Sequence, residues 1–136
     1  MGTAGRLARL GSMTRSNQKE VLIVEDEAMI RMVAADALAD CGIVAWEAGD
    51  AEEALDALNH HPSISLLFTD VNMPGDMNGI DLARRVHEVR PDVELIITSG
   101  ATIIANDRGG SVCLNRLARL LSGGSAGFMP LREAVG

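Results

Sequence analysis

Short apolar runs alternate with amphipathic stretches of helical length from residue 20 onward, and this alternation constrains the fold more than any other feature. Four runs have the length and apolar content of strands, and Val21–Val24 suits a strand buried on both faces of a sheet. The four runs are Val21–Val24, Ile43–Glu47, Ile64–Thr69 and Val93–Thr98. The segments with helical spacing are Ala28–Cys41, Asp50–His60 with Asp50 as its N-cap, and Ile80–Arg90. In the first segment, the residues that share one face, which we expect to be buried, are Ile30, Val33, Ala37, Leu38 and Cys41. The alternation predicts a doubly wound α/β fold with a parallel sheet and right-handed crossovers.

The acidic character of the middle of the chain limits its possible partners. Residues 20–100 hold 17 acidic and four basic residues, and the net charge of the whole chain is −7. We therefore expect no nucleic-acid partner. No apolar run reaches the roughly 18 residues of a membrane span. No secretory signal opens the chain, and two cysteines do not make a disulfide framework. We expect a reduced, cytoplasmic protein without a membrane partner.

The length of 136 residues fits one domain. Residues 1–19 contain four bases, no acid and little apolar content, so we expect them to form a mobile N-terminal arm. The domain then spans residues 20–136, and its composition changes near residue 100.

Acidic and hydroxyl residues follow three of the predicted strands. The first strand ends in Glu25, Asp26 and Glu27, the third ends in Asp70, and the fourth ends in Thr98. The carboxyl ends of parallel strands meet at one edge of the sheet, where ligands bind in such folds. Carboxylates gathered there repel one another, and Mg²⁺, which prefers oxygen ligands, would relieve that repulsion.

Three segments resemble the signatures of response-regulator receiver domains, namely Val21–Glu27, Leu66–Pro74 and Leu95–Gly100. Their order and spacing make the resemblance specific, and it covers about residues 20–100. The resemblance implies a five-stranded, flavodoxin-like sheet of order 2-1-3-4-5. It also implies a phosphoacceptor of a two-component phosphorelay, not an enzyme, that takes its phosphoryl group from a sensor histidine kinase or a histidine phosphotransfer protein.

The family's functional residues carry over onto the matching positions of this chain. Asp70 would be the phosphoacceptor. Glu25, Asp26 and Asp70 would bind Mg²⁺ together with the backbone carbonyl of Asn72. Thr98 would be the switch hydroxyl that bonds a phosphoryl oxygen.

The C-terminal third departs from the family pattern. Receiver domains carry a Lys at the end of the fifth strand, but the only lysine here is Lys19, ahead of the first strand. Gly127–Arg132 resembles the family's aromatic-x-x-Lys run, with Phe128 as the switch aromatic and Leu131 in place of the Lys. Arg132 is one residue off, which turns it to the other face of a strand. We therefore expect phosphorylation with a weak conformational response.

The cover of the sheet is also expected to be incomplete. Ser111–Leu121 has helical spacing and would form a fourth helix after a loop over residues 101–110. Five residues follow Leu131, too few for the family's fifth helix, so one face of the sheet should stay uncovered. Exposed apolar surface of that kind favours a partner, and a homodimer through this face is one candidate.

Two other functions compete with the phosphoacceptor. A pseudo-receiver would keep the fold as a protein-binding module with impaired switching, and the missing Lys favours it. A Mg²⁺-dependent phosphohydrolase of the haloacid-dehalogenase type also uses an Asp nucleophile. That class needs a second acid two residues later, where this chain has Asn72.

Overall fold

The computed structural model describes residues 19–73, 75–99, 102–105, 117 and 127–130. Its strands are β1 Glu20–Val24, β2 Val44–Ala48, β3 Leu66–Asp70, β4 Glu94–Ser99, β5 Thr102–Ala105 and β6 Gly127–Pro130. The helices in these ranges are α1 Ala28–Asp40, α2 Ala51–His60 and α3 Gly79–Val89. None of these helices has the length and apolar character that a bilayer span requires. Residues 1–18, the greater part of the predicted arm, lie outside the described ranges.

The first four strands form the predicted doubly wound sheet. β1 pairs in parallel with β2 and with β3, and β3 pairs in parallel with β4, which gives the order β2-β1-β3-β4. This order confirms the flavodoxin-like fold class. The predicted N-cap of α2 is present, since the Asp50 side chain accepts a hydrogen bond from the Glu53 N–H at 2.9 Å.

The outer edge of the sheet differs from the expectation of one parallel fifth strand. β5 pairs antiparallel with β4, and β6 pairs in parallel with β5, so β6 runs opposite to the first four strands. Two residues separate Ser99 from Thr102, a length that suits a hairpin but not a parallel crossover. Thr102–Ala105, which we expected in a loop, is rich in β-branched residues and forms the strand beside β4. The strand predicted at Gly127 is present as a sixth strand of opposite direction.

Alternate side chains of the parallel strands enter two apolar clusters, one on each face of the sheet. Leu22 and Leu67 belong to the face covered by α2 and α3, whereas Val21 and Phe68 belong to the face covered by α1. Burial on both faces explains why these strands are continuously apolar.

The face covered by α1 also receives Leu117, which is helical and 3% exposed. This face therefore carries at least one side chain from the C-terminal third, and the incomplete cover of one face stays a prediction. The rest of the predicted helix Ser111–Leu121 lies outside the described residues, as do Leu131 and Arg132. A homodimer through this face stays a prediction.

Helix α1 packs on the sheet through a face that we did not predict. Ala34 and Leu38 are each 1% exposed, whereas Ile30 and Val33, expected on the buried face, are 37% and 52% exposed. The helix carries apolar residues on more than one face, so helical spacing alone does not select the buried one. The exposed apolar residues define a surface that we call the α1 patch, formed by Met29, Ile30, Met32 and Val33.

Cys41, which follows α1, is exposed and disulfide-bonded. We expected a reduced cysteine on the buried face of a helix, and the structure contradicts this. The helix ends at Asp40, and Gly42 has a φ of 77°, so the chain turns here and carries Cys41 away from the core. The other cysteine, Cys113, lies outside the described residues.

Candidate functional site

Three predicted site residues meet at the carboxyl edge of the sheet. Asp70 ends β3 and is the register partner of Thr98 in β4, and Glu25 directly follows β1. Each lies two residues beyond a member of the apolar cluster on the α1 face, so strand alternation directs all three toward that face. Asp26, the next residue of the chain, is exposed at the same edge.

The pKa of Glu25 is affected by its burial and by the neighbouring acids at this edge of the sheet. Its pKa is raised, chiefly because burial disfavours the charged form. The Glu27 N–H donates to Glu25 Oε2 at 3.1 Å and opposes this rise, whereas a hydrogen bond with Asp26 and the charges of Asp70 and Asp26 add to it. A cation beside these carboxylates would favour their ionised forms.

The backbone around Asp70 is held by the start of α3. The Gly79 N–H donates to the Val71 oxygen at 2.9 Å, and the Val71 N–H donates to the Thr98 oxygen at 3.0 Å. A Cβ at position 79 would collide with the carbonyl oxygen of Asp70 and would lie 2.8 Å from Val71 Cα. Glycine therefore lets the helix rest directly on the backbone of Asp70. The Asn72 N–H lies 3.4 Å from Asp70 Oδ1.

The oxygen donors at this edge fit Mg²⁺, which takes carboxylate, carbonyl and water ligands. Within the described ranges, no group of three or more His, Cys, Asp and Glu side chains is already arranged as a metal site. Mg²⁺ is usually held by one or two carboxylates and keeps several waters, so a looser set of acids suits it. Glu25, Asp26 and Asp70, with the Asn72 carbonyl, are the residues that would hold the ion.

We expect Glu25→Gln to raise the melting temperature of the metal-free protein. Because the pKa of Glu25 is raised in the folded state, its ionisation destabilises the metal-free fold. Stability is lost as the pH rises from the ordinary Glu pKa, about 4.3, through the raised value. The gain from Glu25→Gln should therefore be small below that window and largest above it, in melting curves recorded with a chelator.

Glu27→Gln is the matched control for this prediction, because Glu27 is an exposed acid of the same loop. It should leave the pH dependence close to that of the unmodified chain. A Glu25→Gln variant that melts lower than the unmodified chain at neutral pH, without metal, would contradict the prediction.

Phe128 does not lie beside Asp70 along the sheet. Its strand β6 is separated from β3 by β4 and β5. Neighbouring strands are about 4.8 Å apart, which puts the two backbones roughly 14 Å from each other. Thr98, by contrast, is on the strand next to Asp70 and is 7% exposed. The switch roles of Thr98 and Phe128 stay predictions.

The opposite edge of the sheet carries two residues with other roles. Lys19 precedes β1, at the end of the strands opposite Asp70, and forms an ion pair with Glu94, the first residue of β4, at 3.6 Å. The Trp46 indole donates to Glu20 Oε1 at 2.9 Å and stacks on His61 with ring centroids 3.9 Å apart. Trp46 fluorescence therefore reports on this edge and is poorly suited to following metal binding.

Sequence reasoning missed two residues that contact the site backbone. Gly79 carries a weak signal, since glycine is a poor helix former and here follows the N-cap Asn78 directly. Arg31 donates to the backbone oxygen of Glu25, a contact that no local pattern in the sequence predicts.

Comparison with known proteins places this geometry in a family. The family model of the response regulator receiver domain matches residues 21–108 of this chain. The response regulator receiver protein CpdR of Brucella abortus is 34% identical over 87 residues, which cover 64% of this chain and 71% of that protein. The chemotaxis protein CheY of Thermotoga maritima is 36% identical over 83 residues, covering 60% and 67%.

Solved structures agree with these sequence relatives. A response regulator receiver protein from Pseudomonas putida superposes with a TM-score of 0.58 at 29% identity, covering 83% of this chain and 85% of that one. The receiver domain of the hybrid histidine kinase CckA gives a TM-score of 0.56 at 29% identity, covering 82% and 83%. The region matched by the family model contains all four edge residues, Glu25, Asp26, Asp70 and Thr98. The chain belongs to the response regulator receiver domains of two-component signalling.

Proposed function

We propose that the chain accepts a phosphoryl group on Asp70 and relays a two-component signal through this modification. The observation that carries the proposal is the meeting of Asp70, Thr98 and Glu25 at one edge of the sheet, where Asp70 is the register partner of Thr98 and Glu25 directly follows β1. Membership of the receiver family supports the same assignment.

In the proposed reaction, a carboxylate oxygen of Asp70 attacks the phosphorus of a phosphohistidine. A phosphorus–oxygen bond forms, giving an acyl phosphate. The phosphorus–nitrogen bond breaks, and its electron pair stays on the imidazole, which takes up a proton from solvent. When bound, Mg²⁺ offsets the negative charge of the transferring oxygens. Glu25, Asp26 and Asp70, with the Asn72 carbonyl, would hold that ion, and the Thr98 hydroxyl would donate to a phosphoryl oxygen.

The phosphodonor in this proposal is a sensor histidine kinase or a histidine phosphotransfer protein. The relatives include the sensor kinase CckA of Brucella abortus, 35% identical over 86 residues that cover 62% of this chain and 9% of that protein. The α1 patch follows the loop of Glu25 and Asp26 in the chain and offers an exposed apolar surface of the kind that protein partners cover. We place the exchange in the cytoplasm, the compartment that supplies the ATP used by such kinases.

Incubation with Mg²⁺ and acetyl phosphate tests the proposal. We expect intact-mass measurement to show the gain of one phosphoryl group, and hydroxylamine to remove it, since acyl phosphates react with that nucleophile. A phosphohydrolase would instead turn over a phosphomonoester many times without lasting label, which we do not expect because Asn72 supplies no second acid. An unchanged mass, or a label that resists hydroxylamine, would contradict the proposal.

The outer edge of the sheet favours a second candidate, a pseudo-receiver that binds a partner with little regard to phosphorylation. In place of a parallel fifth strand, β5 and β6 run antiparallel to β4. We expect a kinase or other bound partner to distinguish the phosphorylated from the unmodified chain by no more than about tenfold, or about 1.4 kcal/mol of coupling. Partner titrations of both forms measure this, and a hundredfold difference would exclude weak coupling.

A further inference from the structure

Arg31 links the loop after β1 to the end of β2. Its Nη1 donates to the backbone oxygen of Glu25 at 2.6 Å, and its Nε donates to Glu47 Oε1 at 3.1 Å. The Arg31 side chain is 21% exposed, so much of it is removed from water. A guanidinium presents its donors in a planar fork, which suits a contact with two acceptors at once.

The bond to Glu25 holds the peptide that joins the two acids proposed to bind Mg²⁺. The Glu25 N–H donates to the Ala48 oxygen at 3.1 Å, and the Glu25 carboxylate accepts the Glu27 N–H at 3.1 Å. With Arg31 on its carbonyl oxygen, Glu25 is held at the amide, the carbonyl and the side chain. Rotation of the Glu25–Asp26 peptide would break the bond to Arg31, so the backbone from which both acidic side chains project is held in place.

The start of α1 lacks the side-chain capping interactions that usually hold the loop before a helix. Its N-cap residue, Glu27, makes no side-chain cap hydrogen bond, and no acid lies in the first turn. The Arg31 N–H donates to the Glu27 oxygen at 3.0 Å as part of the helix, while its side chain returns to the loop. The guanidinium therefore supplies anchoring that the cap does not.

We propose that Arg31 is a positioning residue that strengthens Mg²⁺ binding by fixing the Glu25–Asp26 peptide. The inference rests on the proposed function, because it concerns the metal site that phosphorylation would use. The charge of Arg31 acts in the opposite direction, since a positive charge near the acids repels a cation. Removing the guanidinium should weaken Mg²⁺ binding if its geometry dominates and strengthen it if its charge dominates.

Calorimetric titration of the full chain with Mg²⁺ tests this, at a temperature where every variant is folded. We expect Arg31→Gln to weaken binding about tenfold, because removing groups that orient metal ligands typically costs 10- to 100-fold in affinity. Arg31→Lys keeps the charge but loses the planar fork, so we expect a loss of similar size. Arg85→Gln is the control, since it removes the same charge from α3, where Arg85 pairs with Glu88 at 3.9 Å. That variant should stay within about twofold of the unmodified chain because of salt screening.

Several outcomes would overturn the positioning role. Unchanged or tighter Mg²⁺ binding by Arg31→Gln would show that the guanidinium contacts do not strengthen binding, and full affinity in Arg31→Lys would show that the planar fork is not required. If Glu25→Gln weakens Mg²⁺ binding while Arg31→Gln does not, the metal site stands and only the role of Arg31 fails. If the unmodified chain binds no Mg²⁺, the proposed function fails together with this inference.

Discussion

Asp70→Asn is expected to abolish phosphoryl transfer to the chain. The carboxamide has no carboxylate oxygen to attack phosphorus, and no other acid ends β3 or pairs with Thr98. The gain in mass that acetyl phosphate produces on the unmodified chain should fall to background. The fold should survive, because the amide has the same shape as the carboxylate and Asp70 is only partly buried.

Asp76→Asn is the matched control, since Asp76 is an exposed acid in the loop that follows β3. It should be labelled to the same extent as the unmodified chain. Labelling of Asp70→Asn at unchanged stoichiometry would place the phosphoacceptor elsewhere and overturn the assignment.

Gly79→Ala should slow phosphorylation at least tenfold and also lower stability. The new Cβ would strike the carbonyl oxygen of Asp70, so either α3 or the end of β3 has to move. Overpacking of this kind costs about 1 to 3 kcal/mol. A shift of about 1 Å in a reacting group can reduce rates a hundredfold. Thermal melting and the initial rate of labelling measure the two effects separately.

Gly49→Ala is the control for this substitution. Gly49 lies at the same edge, after β2, but a Cβ there would meet only the ends of two side chains, at 3.4 Å from Glu53 and 3.6 Å from Arg31. It should change labelling by less than about threefold, since both distances are ordinary van der Waals contacts and neither side chain has to move. Equal rates for Gly79→Ala and the unmodified chain would show that the contact with Asp70 does not position the nucleophile.

The sequence predicted those parts of the protein that depend on local pattern. The apolar run Val21–Val24 is buried on both faces as its composition indicates, and Asp50 caps α2 as its spacing with Glu53 indicates. Residues at the ends of parallel strands reach the same edge whatever the side-chain packing. The meeting of Glu25, Asp70 and Thr98 was therefore predictable without coordinates.

Contacts between distant segments were decided by the tertiary structure alone. Helical spacing placed Ile30 on the buried side of α1, but packing on the sheet selects Ala34 and Leu38, because α1 is apolar on more than one face. The direction of β5, a strand of four residues, depends on the strand with which it pairs. Because the connection after Ser99 is short, β5 pairs with β4 in the antiparallel direction.

By itself, the sequence determined the fold class and the acids at the carboxyl edge, because periodicity and strand ends are local properties. The strand order through β4 was an implication of the resemblance to receiver domains. Only the tertiary structure decided that Arg31 reaches the Glu25 carbonyl and that α3 rests on Asp70 through Gly79. Both contacts join a helix to the end of a strand, and their distances are set by how the helices pack on the sheet.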